Sequence, residues 1–118
     1  MLSRPLIALI LGVAAPLLCP VATAAPAPRN ILLIAGSRSH GAGEHEFRAG
    51  CLLLQGCLNA IPGVHSEVVS NGWPASPDAF KGVDAVVIYS DGGDGHPAIR
   101  PERLQLLRGL MAKGVGLG

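Results

Sequence analysis

The chain has 118 residues, enough for one modest domain, with nine Lys and Arg against eight Asp and Glu and a net charge of +1. That balance leaves no electrostatic footprint for nucleic acid or an anionic surface. Phe47, Trp73, Phe80 and Tyr89 are the only aromatic side chains, too few for a base-stacking platform.

Residues 1–24 have the layout of a secretory signal peptide. Arg4 precedes an apolar run from Leu6 to Leu18, and Ala22 to Ala24 offer small residues for cleavage. The competing reading is a retained membrane anchor, but Pro16 and Pro20 interrupt a helix that would need about 20 apolar residues. Lipid modification of Cys19 is disfavoured by the large Leu18 before it. Cleavage after Ala24 removes Arg4, balances eight basic against eight acidic residues, and leaves a domain over residues 25–118. The expected location is periplasmic or secreted, with no stable membrane insertion after cleavage.

Beyond "PAPRN", the apolar period switches repeatedly. "ILLIA", residues 31 to 35, reads as a strand covered on both faces. Phe47, Cys51, Leu54, Leu58 and Ile61 form a helical stripe, and Gly63 is its stop signal. On that helix Cys51 and Cys57 lie ~600° of turn and ~9 Å of rise apart. A disulfide needs Cα atoms within about 7 Å, so the pair is expected unbridged, both as small core residues. "VHSEVV", 64 to 69, reads as the second strand, ended by "NGWP". Ser76 and Pro77 set up a short helical turn as N-cap and first helical residue. "DAVVIYS", 84 to 90, is the third strand. Pro101 opens a last helix with Leu104, Leu107, Leu110 and Met111 as its expected buried face. Val115 onward reads as the start of another strand, an expectation of a domain truncated after its third strand and incomplete at the C-terminus.

Strands alternating with helices imply right-handed βαβ units. The fold class is α/β, a three-layer, doubly wound, flavodoxin-like parallel sheet. Ligands of such sheets bind beyond the carboxyl ends of the strands. Two polar loops follow strand tips: "GSRSHGAGEHEF", 36 to 47, and "SDGGDGHP", 90 to 97. The expectation is that they face each other across one rim. His40 and His45 suit metal ligation or proton transfer, and Glu46 is expected in the first helical turn, where the dipole favours its charge. Asp91 and His96 would answer from the opposite loop. Gly41, Gly43, Gly92, Gly93 and Gly95 would permit positive φ and close backbone approach. The bland alternatives are solvated or capping histidines and turn-forming aspartates at 91 and 94; His65, inside a strand far from the loops, fits that reading best.

Sharper motifs fail. No Lys-Ser/Thr follows the glycines, and their spacing is not the dinucleotide fingerprint. Ala49 occupies the place of a zincin's second histidine, Asp91 and Asp94 lack calcium-loop spacing, and there is no nucleophile elbow.

"ILLIAGSRSHGAGEHEF" followed by "VVIYSDGGDGHP" resembles the trehalose-utilisation (ThuA-like) proteins, whose fold is similar to that of class I glutamine amidotransferases. The likeness covers Arg29 to Gly118. It implies a flavodoxin-like domain with a role linked to sugars, oxidised disaccharides among them, and points to Ser37, His40, Gly41, His45, Glu46, Asp91 and His96. In the amidotransferase relatives the nucleophilic cysteine stands after the strand that "GVGLG" only begins, and Cys51 and Cys57, mid-helix, are no substitutes. The resemblance therefore implies no glutaminase chemistry for residues 29–118.

The resulting expectation is an exported domain binding or acting on a carbohydrate-derived small molecule. His45 and Glu46 would serve as general acid/base, with Ser37, His40, Gly41, Asp91 and His96 binding the ligand. A divalent metal, zinc or manganese, is the one cofactor suggested, on His40, His45 and His96. The alternatives are a non-catalytic sugar- or metal-binding module of a larger secreted protein and an inactive fragment. Self-association into a homo-oligomer is compatible with the sequence.

Overall fold

A computed structural model of the chain describes residues 27–118, so the signal-peptide and anchor readings of residues 1–24 lie outside the described residues. In chain order the elements are β1 (Arg29–Ala35), α1 (Phe47–Asn59), β2 (Val64–Val69), a 3₁₀ turn (Pro77–Phe80), β3 (Ala85–Tyr89), a second 3₁₀ turn (Gly93–Gly95), α2 (Pro101–Met111) and the two-residue β4 (Gly116–Leu117). The four strands form one parallel sheet in the order β2-β1-β3-β4. This is the flavodoxin-like order, with its switch point between β1 and β3. Among the described residues, no helix is long and apolar enough to cross a membrane.

The run "ILLIA" is apolar throughout because both of its faces are covered. Leu33 and Ala35 pack with Phe47 and Cys51, while Leu32 and Ile34 pack with Phe80, Val86, Ala98 and Leu107. Alternate residues of a strand point to opposite faces, so α1 covers one side and α2 with the first 3₁₀ turn covers the other. Burying each of these leucines or isoleucines contributes roughly 1.5–3 kcal/mol. That 3₁₀ turn forms as its sequence dictates, with Pro77 at its first position and Ser76 Oγ accepting from the Asp78 N–H at 3.1 Å.

The predicted inward faces hold in part: Phe47, Cys51 and Leu58 of α1 and Leu107 and Leu110 of α2 pack as expected. On α1, Phe47 and Cys51 are buried and Leu58 is packed, but Leu54 is exposed. The neighbouring Gln55 is part-buried instead, its side-chain amide donating to the Ser66 carbonyl at 2.9 Å. The helix ends at Asn59, so Ile61 falls beyond it and is exposed. Cys57 is exposed rather than a core residue; both cysteines are free, and burial pushes the Cys51 thiol up in pKa. On α2 the inward stripe is Arg103, Leu106, Leu107 and Leu110, at i, i+3, i+4 and i+7. Leu104 and Met111 face solvent. On this inward stripe Arg103 Nη1 donates to the Pro97 carbonyl at 2.7 Å, and its guanidinium lies over Trp73.

Candidate functional site

The switch point is closed by one small residue. Gly36 N–H donates to the Tyr89 carbonyl at 2.8 Å, and a Cβ on Gly36 would sit 2.5 Å from Ser90 Cβ. The tips of β1 and β3 thus run side by side, and the loops they release share the carboxyl edge of the sheet.

Those loops meet at Asp91. His45 Nδ1 lies 2.6 Å from Asp91 Oδ1, and His40 Nδ1 lies 3.9 Å from Asp91 Oδ2. The two imidazole centroids are 3.9 Å apart at a tilt of 54°. Ser39 Oγ bonds His40 Nδ1 at 2.9 Å. The Ser39 hydroxyl and the His45 imidazole hold the Asp91 carboxyl below the usual carboxylate range, with His40 adding a further charge effect. One ligand atom from each of His40, His45 and Asp91 fits within 4.8 Å of the other two. Two imidazole nitrogens and a carboxylate oxygen are a donor set suited to zinc, manganese or ferrous iron, and three protein ligands leave positions open for a substrate.

The backbone bends to make this contact. His45 has φ 46°, in the left-handed region. For a side chain of this size that conformation costs about 1–2 kcal/mol, and such outliers cluster at functional sites. The neighbouring backbone is tied by carboxylates: Gly41 N–H donates to Glu44 Oε2 at 3.2 Å, and Gly43 N–H to Glu46 Oε1 at 2.8 Å. Phe47 then anchors the loop in the core, edge-on to Tyr89 at 5.2 Å.

Against the sequence expectations, His40, His45 and Asp91 come together, while Ser37 lines the adjoining cleft. His96 does not join the metal set proposed for it. Its Nδ1 accepts from the Ala98 N–H at 3.1 Å, and it lines a different hollow with Arg100 and Arg103. The three-residue turn Gly93–Gly95 carries it away from the histidine pair, and Asp91 takes its place in the cluster. Glu46 stands at the N-cap rather than in the first turn of α1, and its Oε1 accepts the Gly43 N–H at 2.8 Å. Gly41 contributes its N–H to the loop's internal bonding. Of the five loop glycines expected to exploit positive φ, only Gly43 (84°) and Gly93 (65°) do. His65 on β2 sits 3.7 Å from Glu67 on the same strand, in surroundings of its own.

Sequence reasoning missed Ser39, Asn71, Trp73 and Arg103. Asn71 (φ 67°) follows β2 and lines the same cleft as Ser37, Ser39, Asp91 and Arg103. Its "NG" turn after a strand tip was the one available signal. Compared with known proteins, the chain has no match: no family model, curated protein or solved structure is significantly similar to it.

Proposed function

We propose that this chain is an exported ThuA-like domain whose switch-point site binds a carbohydrate-derived small molecule and acts on it with the help of a divalent cation held by His40, His45 and Asp91. The observation that carries the reading is the convergence of these three donors within 4.8 Å at the place where doubly wound sheets bind ligands. The two loop motifs support the family assignment, and the layout of residues 1–24 supports export.

The residues have separate tasks. The 2.6 Å contact between His45 Nδ1 and Asp91 fixes the His45 ring and leaves its other nitrogen as the one that would hold the cation. Asp91, held below the usual carboxylate range, is ionised and would bring a negative charge to the cation. Ser39 orients the His40 ring. Glu44 and Glu46 hold the loop rather than react. A divalent cation, when bound, supplies Lewis-acid polarisation of a sugar hydroxyl or carbonyl oxygen.

Calorimetry with zinc or manganese tests the reading. Wild type is expected to bind one equivalent and the His40→Ala/His45→Ala double variant none. Absence of heat with wild type, or equal heat with the double variant, rejects the cation. Turnover of keto-sugars by the cation-loaded protein would make the domain an enzyme; saturable binding without turnover would make it a recognition module.

A further inference from the structure

Beside the histidine pair lies a cleft of about 440 Å³ between the tips of β1, β2 and β3, closed on its far side by the first turn of α2. Its volume is in the range of small-ligand sites. Its two charged poles are unequal. Asp91, at one end, is already engaged by His45 at 2.6 Å. Arg38 and Arg103 also line it, and neither is in an ion pair with any carboxylate among the described residues.

Arg103 is the better built of the two. Half-buried, it rests 5.3 Å from the Trp73 ring centroid, and Trp73 is backed in turn by Phe80 at 5.1 Å. One of its five N–H groups donates to the Pro97 carbonyl at 2.7 Å, which tethers the guanidinium at the cleft wall. A guanidinium placed over an aromatic ring, with donors left over and no counter-charge, is suited to a planar or tetrahedral oxyanion. Ser37 and Asn71 add hydroxyl and amide groups between the two poles.

We propose that this cleft recognises a polyol bearing an oxyanion, a sugar acid or a sugar phosphate, with the oxyanion on Arg103 and the hydroxyls directed toward Asp91 and the histidine pair. This names the substrate class of the site proposed above and rests on that reading for the part played by His40, His45 and Asp91. A neutral sugar leaves the Arg103 charge desolvated without a partner, so the site discriminates against it.

The test is calorimetric titration of the whole chain at low salt with glucose, glucuronate and glucose 6-phosphate, once in chelator and once in manganese. One of the two anions is expected to bind at least tenfold more tightly than glucose, and the tighter one identifies carboxylate or phosphate as the recognised group. Arg103→Met should abolish the preference and Arg103→Lys should keep part of it. Arg100→Met, exposed and outside this cleft, should leave it unchanged. Retained manganese binding and far-UV circular dichroism report that Arg103→Met is folded. Equal affinity for glucose, a preference that survives Arg103→Met, or no binding by either anion overturns the proposal. An Arg103-dependent preference in chelator without manganese binding would remove the cation reading and leave this one standing. Manganese binding without any anion preference would do the reverse.

Discussion

At the amino edge of the sheet, the Arg29 guanidinium meets Asp84 at 2.9 Å, and the other Asp84 oxygen accepts the Asn30 N–H at 2.8 Å. The Asn30 side chain donates to the Gly82 carbonyl, and the Asp84 N–H to the Asn30 carbonyl. At the carboxyl edge two imidazoles share one carboxylate, and two arginines stand outside every ion pair among the described residues. The first edge uses polar groups to fasten β1 to β3, each matched to another. The second leaves donors unspent and bends His45 into the left-handed region to hold them in place. Residue type alone does not distinguish a structural cluster from a ligand site; saturation of its hydrogen-bonding capacity does.

The comparison breaks first at the histidines. His45→Gly combined with His40→Ala should weaken zinc or manganese binding roughly 100-fold or more. The melting temperature should hold or rise, because glycine adopts φ 46° without strain. A large loss of stability would mean that the pair is structural, like the amino edge. Gly36→Ala should cost about 1–3 kcal/mol by forcing its new methyl against Ser90. It should also reduce cation affinity by parting the loop tips, read by denaturant melts and calorimetry together.

Asn59→Ala sharpens the contrast from the saturated side. Asn59 Oδ1 accepts both the N–H and the hydroxyl of buried Ser66, at 2.7 and 2.8 Å. Its loss should cost about 1–3 kcal/mol in urea melts with cation binding unchanged. The smallest effect concerns acid. Bonds from Asn30 and Arg29 hold the Asp84 carboxyl below its usual range, and Ser39 and His45 do the same for Asp91. A depressed folded pKa contributes stability above the ordinary value of about 3.9 and loses it as pH falls through the folded one. Wild type should therefore weaken below about pH 4, and Asp84→Asn should flatten that limb in acid melts. Unaltered acid sensitivity would mean that Asp84 gains nothing from its partners.

The sheet was legible because its signals are local. Gly63 and "NG" at 71 and 72 bracket β2, and the two-sided burial of β1 is written in five consecutive apolar residues. The meeting of His40 and His45 with Asp91 followed from placing both loops at strand tips. What failed depended on rotation about a helix axis or on a turn's exit direction. Leu104 and Leu106 are equally apolar, yet Leu106 packs against the core while Leu104 is exposed, on a helix whose Arg103 bonds the Pro97 carbonyl. His96 belongs to the right loop, but three turn residues aim it elsewhere. Arg103 was invisible as a site residue because a helical arginine reads as solvent-facing until the tertiary structure lays it on Trp73.

The most direct test follows the histidine ring nitrogens by NMR while zinc is added to the chain. The account predicts that the His40 and His45 nitrogens shift together, saturating at one equivalent, while those of His65 and His96 do not move. Earlier movement of His96 or His65, or no movement of the pair, would contradict it.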